Sequence, residues 1–428
     1  MALTKKDYKP RVLDRKIKEL LTTFGAISVV GPKWCGKTWT ALHHANSVIY
    51  LMDPADNYSN RNRALINPAL ILTGKHPLLI DEWQEVPALW DAVRFAVDQH
   101  PEPGQFLLTG SATPAKAAPL HSGTGRFARV RMRPMTLFES GDSTGKISLQ
   151  ALFNGKQFTP LAADITLEDL IFLTARGGWP VNLDNRSKAA LQVPVEYIEA
   201  VIANEIFTQD NARRNPAKLR RLLRSLARNN ATIMKESTIF ADIKNDGESE
   251  DDGLARQSIA DYIDDLMRIF LIEEIPGWMP RLRSKTRIRM SPKRIFTDPS
   301  LAIAALGATP KKLLQDLNTF GFMFEGLCLR DLAVYAETMN GSVYHYRDNS
   351  GLEVDALIEI PGGDYAAFEI KLGAYRVEEG AETLLRFKKK MIEAGAQAPV
   401  FLAVITGGGT AYRQQDGVCV LPINSLRP

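Results

Sequence analysis

Eight consecutive residues near the N-terminus combine glycine, lysine and a hydroxyl group in an order suited to binding phosphate. They are Gly31, Pro32, Lys33, Trp34, Cys35, Gly36, Lys37 and Thr38, and Trp39 follows them. An apolar run precedes them and a helix-like segment follows, so the backbone N–H groups of the turn point at one anion near a helix N-terminus. The pattern predicts a P-loop that binds ATP, with Lys37 on the β- and γ-phosphates and Thr38 on Mg²⁺.

A second motif supports this prediction, because the apolar run 77–80 ends in the acidic pair Asp81-Glu82. We expect Asp81 to hold Mg²⁺ through water and Glu82 to polarise the water that attacks the γ-phosphate. A carboxylate aimed at water favours an ATPase over a small-molecule kinase, which transfers the phosphoryl group to a bound substrate. The strand-like run 105–108 ends in Thr109, at the place expected for a sensor of the γ-phosphate.

A third set of residues lies near the C-terminus, where Asp355 precedes a turn and Glu369 and Lys371 follow it. An acid, a second acid after a turn and a lysine two residues further on resemble the core of PD-(D/E)XK nucleases. This resemblance implies that Asp355 and Glu369 share a divalent metal, that Lys371 positions or activates water, and that Glu325 adds a carboxylate from a helix. Two alternatives stay open: a hairpin with solvated acids, and a nuclease-like fold that does not cleave.

Apolar alternation predicts how these two C-terminal strands pair. The apolar residues are even-numbered: Val354, Ala356, Ile358 and Ile360 in the first strand, and Ala366, Phe368, Ile370 and Leu372 in the second. Directly opposed residues share a face, so even-numbered residues must pair with even-numbered ones, which requires an odd number of loop residues or a bulge. The other face then carries Glu353, Asp355, Glu369 and Lys371 together.

Composition bounds the class of protein. With 428 residues, 45% hydrophobic and 24% charged, the chain is typical of a soluble protein of two to four domains. The net charge of +4 is too small to argue for an anionic partner. Three widely spaced cysteines, no metal-ligand spacing among the histidines, and no apolar run of membrane-spanning length or signal peptide predict a cytoplasmic protein without a zinc site or a membrane partner.

The order of predicted elements shows how the chain positions these residues. Strands and helices alternate from residue 11 to residue 109, which predicts an α/β fold with a parallel sheet and the nucleotide at the carboxyl ends of its strands. A helix, strand, loop and strand between residues 258 and 298 are typical of a winged helix. We therefore expect a P-loop ATPase domain at 1–140, a helical domain with a winged helix at 141–310 that begins with a linker or hairpin, and a nuclease-like α/β domain at 311–428.

Segment 123–139 completes a pattern that resembles a known family. After the P-loop and the Asp-Glu pair come Leu-Thr-Gly-Ser at 108–111, Gly-Arg at 125–126, a Pro–Leu–Glu segment at 134–139 and Gly-Gly-Trp-Pro at 177–180. Over nearly its whole length the chain is similar to AAA+-like ATPases that pair an AAA domain 14 module with a DUF4143 module. The resemblance implies that Arg126 is an arginine finger or sensor, within the chain or across a subunit. The other interpretation is a strand of solvated arginines, since Arg129, Arg131 and Arg133 alternate on one face.

A basic stretch suggests a partner for the middle domain. Its seven basic residues, with no acid among them, are Arg281, Arg283, Lys285, Arg287, Arg289, Lys293 and Arg294. Because a wing would project there, we predict contact with the phosphates of DNA, although a solvated hairpin is an alternative. Two functions therefore stay open. One is an ATPase coupled to binding or metal-dependent cleavage of nucleic acid, and the other is an ATP-dependent switch whose inactive nuclease-like module binds a protein or nucleic-acid partner.

Overall fold

Short apolar runs separated by helices build an all-parallel N-terminal sheet. The computed structural model describes residues 8–111, 123–163, 165–205, 215–234, 236–243, 256–280 and 291–428. The strands of this sheet are β1 (Ala26–Val30), β2 (Ser47–Tyr50), β3 (Leu78–Asp81), β4 (Phe106–Gly110) and β5 (Phe127–Arg131). Their order is β2-β3-β4-β1-β5, so β4 lies between the strand that enters the P-loop and the strand that ends in Asp81.

Helices cover both faces of this sheet, as the near-continuous burial of its strands requires. The helices are α1 (Asp14–Leu21), α2 (Lys37–His44), α3 (Ser59–Ile66) and α4 (Ala88–Gln99). Ile17 of α1 and Ala41 of α2 pack in one core with Val29, whereas Leu89 of α4 packs in the other with Ile80. The P-loop, Asp81 and Thr109 therefore lie together at the carboxyl ends of the strands.

The middle of the chain is mainly helical and ends in a small hairpin. Its helices are α5 (Leu149–Phe153), α6 (Leu167–Arg176), α7 (Gln192–Ala200), α8 (Pro216–Arg228), α9 (Glu236–Ile243), α10 (Arg256–Arg268), α11 (Pro299–Leu306) and α12 (Pro310–Gln315). Strands β8 (Ile272–Ile275) and β9 (Lys293–Phe296) pair antiparallel, and a single bridge joins Thr232 to Arg294. A helix followed by two paired strands is part of the expected order, and residues 281–290, between the two strands in sequence, lie outside the described residues.

A mixed sheet forms the C-terminal part. Helix α13 (Leu317–Thr338) precedes β10 (Ser342–Arg347), β11 (Glu353–Glu359) and β12 (Tyr365–Lys371), and helix α14 (Val377–Glu393) precedes β13 (Leu402–Thr406), β14 (Gly409–Arg413) and β15 (Cys419–Pro422). Phe324 of α13 packs with Phe368 on one face of the sheet, and Phe387 of α14 packs with Ala367 on the other. Both faces are therefore covered.

The expected linker at 141–166 is instead part of the C-terminal sheet structure. Strand β7 (Leu161–Ala163) pairs antiparallel with β14 and extends the sheet to the order β10-β11-β12-β13-β15-β14-β7. Strand β6 (Ile147–Ser148) pairs in parallel with the C-terminal strand β16 (Leu426–Arg427). Segment 141–166, which we expected to begin the middle domain, therefore contributes strands to the C-terminal part, because sequence patterns do not reveal which distant strand a short segment joins.

The predicted pairing of β11 with β12 is confirmed. Ala356 lies opposite Phe368 and Ile358 opposite Ala366, so even-numbered residues pair with even-numbered ones. Ile360 donates its backbone N–H to the Asp364 carbonyl at 2.9 Å, which leaves an odd loop of three residues.

The prediction that Val354 shares a face of the sheet with Ala356 and Ile358 was wrong. The register of β10 with β11 shifts between Tyr344 and Tyr346, so Asp355 and Ala356 together oppose His345. This β-bulge reverses the alternation, and Val354 joins the core beneath α14 while Ala356 and Ile358 pack beneath α13. The bulge places Asp355 where the ladder between β11 and β12 ends.

Candidate nucleotide site and carboxylate cluster

The P-loop is held by close backbone packing beneath α2. A Cβ atom at Gly31 would lie 2.1 Å from the Met132 carbonyl oxygen, so this position requires glycine. Gly36, just before α2, has φ 100°, a left-handed conformation that glycine adopts without strain. Lys37 is 5% exposed, and its Nζ donates to the Pro32 carbonyl at 2.8 Å. The ammonium group therefore lies over the turn that the sequence predicts to hold phosphate.

The first turn of α2 and the end of β4 both contact Asp81, the last residue of β3. Its Oδ1 accepts a hydrogen bond from Thr38 Oγ1 at 2.8 Å and another from Thr109 Oγ1 at 2.6 Å. Burial raises the pKa of Asp81 and the charge of Glu82 adds to the shift, whereas the two hydroxyl groups oppose it. The predicted Mg²⁺ ligands Thr38 and Asp81 are thus in direct contact, and the predicted sensor Thr109 joins them.

The second acid is fixed by residues that the sequence analysis did not single out. Glu82 has φ 57°, a strained conformation for a residue with a side chain. Its Oε2 accepts hydrogen bonds from Ser111 Oγ at 3.1 Å and from Gln84 Nε2. Ser111 is the last residue of the Leu-Thr-Gly-Ser run that contains Thr109, so its place in that motif could have identified it. Nothing in the sequence indicated a role for Gln84.

These residues open onto a cavity of about 730 Å³, within the range of small-molecule sites. Of the predicted P-loop residues, those that line it are Lys33, Trp34, Gly36, Lys37, Thr38 and Trp39. Gly31, Pro32 and Cys35 do not, and Cys35 is fully buried in the core. Asp81 and Glu82 line the cavity floor, and Pro180 and Val181 from the Gly-Gly-Trp-Pro turn line its rim.

Arg126 lies at the wrong edge of the sheet to reach this cavity. Its carbonyl accepts the backbone N–H of Ala26, which begins β1, whereas the P-loop follows the end of β1. Five residues of strand separate the two edges by about 16 Å, at about 3.3 Å per residue. The guanidinium of Arg126 instead pairs with Asp98 at 2.7 Å. The side chain of Arg126 therefore lies away from the cavity of its own chain, and its role as an arginine finger or sensor stays a prediction.

The alternative interpretation, a strand of solvated arginines, is wrong for Arg131 and Arg133. Arg133 is 9% exposed and pairs with Glu273 at 2.9 Å and with Glu337 at 2.6 Å. Arg131 lies 3.4 Å from Glu273, and Arg129 alone among the three is exposed. The strand end thus connects the N-terminal sheet to β8 and to α13.

A buried arginine joins this connection to the P-loop. Arg11 donates to the Cys35 carbonyl at 2.8 Å, to the Arg133 carbonyl at 2.8 Å and to Glu139 Oε1 at 2.9 Å. Glu139 also accepts the backbone N–H groups of Val12 and Thr136, each at 2.9 Å. The sequence analysis missed Arg11, because its partners lie 24 to 128 residues away along the chain.

A second polar cluster surrounds Lys293, the first residue of β9. Lys293 is 2% exposed, and its Nζ lies 2.8 Å from Glu325 Oε1 on α13. The same nitrogen lies 3.6 Å from Glu353 Oε1 and 3.6 Å from Asp355 Oδ1. Burial alone would lower the pKa of Lys293, but the charges of Glu325 and Asp355 raise it above its usual value, so the side chain is an ammonium ion.

The predicted nuclease-like residues lie beside this lysine. Lys371 Nζ donates to Glu369 Oε2 at 2.6 Å and lies 3.9 Å from Asp355 Oδ2, which accepts the backbone N–H of Ile370 at 2.8 Å. Burial raises the pKa of Glu369, and the Asp355 charge raises it further. A cleft of about 260 Å³ is lined by Glu353, Asp355, Glu369 and Lys371, as the strand pairing predicts.

This geometry does not fit the metal site predicted from Asp355, Glu369 and Glu325. Among the residues that the structure describes, no group of three or more His, Cys, Asp or Glu side chains is arranged to hold a metal ion. Glu325 and Glu369 each bind a lysine instead, and the carboxylates surround two ammonium groups.

Three family models match the chain in succession. An AAA domain matches residues 23–140, a domain of unknown function (DUF8612) matches 167–312, and a second one (DUF4143) matches 320–426. The chain thus carries an AAA domain near its N-terminus and a DUF4143 domain near its C-terminus. The AAA domain carries the P-loop, Asp81 and Glu82. The DUF8612 domain supplies Lys293 to the carboxylate cluster of the DUF4143 domain.

Two relatives and two solved structures are similar to this chain at low identity. The uncharacterized proteins Rv2008c of Mycobacterium tuberculosis and Mb2031c of Mycobacterium bovis are each 25% identical over 359 residues, which cover 83% of this chain and 72% of theirs. The Walker-type ATPase PABY2304 of Pyrococcus abyssi has a TM-score of 0.43 and 15% identity, covering 70% of this chain and 96% of its own. The Thermotoga maritima RuvB Holliday junction branch migration motor has a TM-score of 0.30 and 14% identity, covering 72% and 99%. Within the described residues, no helix of the AAA–DUF4143 chain is long and apolar enough to cross a membrane.

Proposed function

We propose that the AAA domain binds ATP with Mg²⁺ and hydrolyses it, and that the chain is an ATP-dependent switch. The contact of Asp81 with both Thr38 and Thr109 carries this proposal, because it joins the P-loop, the acidic strand and the strand between them at one point. Lys37 binds the β- and γ-phosphates, and Thr38 and Asp81 hold the ion, which neutralises charge on the phosphate oxygens. Glu82, oriented by Ser111, accepts a proton from the attacking water.

Substitutions at the two ends of the cavity test this proposal. Lys37→Ala removes the phosphate-binding ammonium, so ATP affinity falls. Glu82→Gln keeps the side chain's shape and its acceptor oxygen but removes the base, so we expect normal ATP binding with turnover lower by about 10²–10⁴. Titration with a fluorescent ATP analogue and steady-state phosphate release measure the two effects. Glu85→Gln, in the same short helical turn, is the control and keeps full turnover. A Glu82→Gln variant as fast as the parent contradicts the assignment of the base.

DNA receives little support as the partner of this switch. Of the predicted basic contact surface, Lys293 is buried among carboxylates and Arg294 pairs with Glu274 at 2.9 Å, while 281–290 lie outside the described residues. In a winged helix the helix before the wing enters the major groove. The helix in that position is α10, which carries Asp261, Asp264 and Asp265 rather than a basic surface. We therefore favour a protein partner for the switch over a nucleic-acid substrate.

Binding measured against salt tests that preference. Contact with phosphates releases counterions, so the affinity of a DNA-binding chain falls steeply as salt increases. We expect no binding of single- or double-stranded DNA at low salt, in the presence or absence of ATP. Salt-sensitive binding that weakens in Arg283→Gln or Arg287→Gln overturns the preference and restores the nucleic-acid hypothesis.

A further inference from the structure

The carboxylate cluster of the DUF4143 domain has an ammonium group at its centre. Lys293 Nζ lies within 3.6 Å of oxygen atoms from Glu325, Glu353 and Asp355, three carboxylates that come from a helix and a strand. We propose that Lys293, supplied by the DUF8612 domain, is the permanent cation of this cluster, so that the cluster binds no divalent metal and does not hydrolyse phosphodiesters.

Backbone hydrogen bonds hold the hairpin that carries Lys293 against the DUF4143 sheet. The Trp278 N–H donates to the His345 carbonyl at 2.7 Å, and the His345 N–H donates to the Pro276 carbonyl at 3.0 Å. On the other strand of the hairpin, His345 Nε2 lies 3.2 Å from the Ser291 carbonyl oxygen. These contacts lie next to Ile275 and Lys293, which pair across the hairpin, so they position the backbone of Lys293 beside the DUF4143 sheet.

Two further carboxylate oxygens, Asp355 Oδ2 and Glu369 Oε2, have partners other than a metal. Asp355 uses Oδ2 for the Ile370 N–H, and Glu369 binds Lys371 at 2.6 Å. Mg²⁺ requires about six oxygen ligands at about 2.0–2.1 Å in octahedral geometry. A metal here must displace a buried ammonium or share the carboxylates with it, and like charges at such short range repel each other.

Metal binding by the full-length protein without nucleotide tests the proposal. We titrate Mn²⁺ and follow the free ion by electron paramagnetic resonance. The parent and Asp355→Asn should bind the same amount of Mn²⁺, because Asp355 holds no metal in the parent. Lys293→Met removes the ammonium and keeps an unbranched apolar stem, so it should gain one Mn²⁺ site that is lost again in Lys293→Met with Asp355→Asn. The matched control is Arg294→Met, which removes the neighbouring charge of β9 and should gain no site.

Two further measurements keep the proposal falsifiable if Lys293→Met does not fold. The double variant Lys293→Met with Glu325→Gln removes one positive and one negative charge together, and it should also gain Mn²⁺ binding that depends on Asp355. The parent should leave plasmid and single-stranded DNA intact with Mg²⁺ or Mn²⁺. Mn²⁺ bound by the parent and lost in Asp355→Asn overturns the proposal, as does parent cleavage lost in Asp355→Asn, or folded lysine variants that gain no site. ATP hydrolysis is measured in the same preparations, and its presence or absence bears on the proposed switch alone.

Discussion

At the scale of single residues, the geometry around Glu82 separates positioning from catalysis. Ser111 Oγ donates to Glu82 Oε2 but lies outside the residues that line the cavity. Ser111→Ala should therefore lower the turnover of ATP by about tenfold, the equivalent of one lost hydrogen bond of about 1.4 kcal/mol, and leave KM unchanged. Steady-state kinetics measure both constants. Ser111→Thr keeps the hydroxyl and should restore most of the rate, whereas a loss as large as that of Glu82→Gln argues against a positioning role.

The buried His345 on β10 should make the free energy of unfolding depend on pH. The side chain is fully buried, and burial together with the Lys293 charge lowers its pKa to about 4. The unfolded chain binds this proton near pH 6.5, so the free energy of unfolding falls as pH decreases from about 6.5 to about 4, by roughly 3 kcal/mol in total. His345→Gln does not titrate and should lose less stability across this window. Urea unfolding at pH 7, 5.5 and 4 measures the difference, with the exposed His100→Gln expected to behave like the parent.

At the scale of elements, β5 links the AAA domain to the rest of the chain through Arg133. Its partners Glu273, on β8, and Glu337, on α13, lie 140 and 204 residues away along the sequence. The Arg133 and Arg131 charges hold the pKa of the buried Glu273 at about 2, against the effect of burial. Arg133→Met removes the hydrogen-bonded partner of this buried carboxylate and leaves Arg131, 3.4 Å away, as its neighbouring cation, so the free energy of unfolding should fall by about 3 kcal/mol, the lower end of the range for a broken buried pair. Chemical denaturation measures the loss.

Arg129 provides the matched control for that substitution. It lies on β5, which ends two residues before Arg133, but it is exposed, so Arg129→Met should change stability by less than about 0.5 kcal/mol. Adding Glu273→Gln to Arg133→Met removes the carboxylate charge that has lost the Arg133 guanidinium, and should recover part of the lost free energy of unfolding. An Arg133→Met variant as stable as the parent would show that the buried ion pairs add nothing to the contact between these elements.

These elements also show what the sequence allows one to predict. The P-loop and the pairing of β11 with β12 follow from local patterns, a glycine-rich turn and a period of two, and the structure has both features. The bulge at Asp355 does not, because it depends on the register with β10. Nor does the environment of Lys293, whose partners lie 32 to 62 residues away and whose neighbours in sequence are basic. Its place in a basic run predicted a surface residue, whereas tertiary packing buries it.

At the scale of the whole molecule, the C-terminal sheet depends on a segment that precedes the DUF8612 domain. Strand β7 covers the edge of β14, and β6 pairs with β16 at the end of the chain. Ser148 Oγ also donates to the Pro428 carbonyl at 2.7 Å. A fragment that begins at residue 311 lacks these partners and exposes an unpaired strand edge, which promotes association between chains. We therefore expect fragment 311–428 to aggregate or to unfold at a lower temperature than the sheet does in the full chain.

A peptide that spans residues 145–163 should correct this defect, because it supplies both missing strands. Its pairing with β14 uses the backbone of Leu161, Ala162 and Ala163, opposite Ala411, Thr410 and Gly409. Adding the peptide should raise the melting temperature of fragment 311–428 in proportion to the logarithm of its concentration, because a ligand that binds only the folded state shifts the unfolding equilibrium. The control peptide carries Leu161→Pro and Ala163→Pro, which remove two backbone donors of β7 and should weaken the effect. If the fragment is monomeric and equally stable without the peptide, the C-terminal domain folds independently of β6 and β7. The stabilisation of the C-terminal sheet by segment 145–163 is then smaller than the strand pairing indicates.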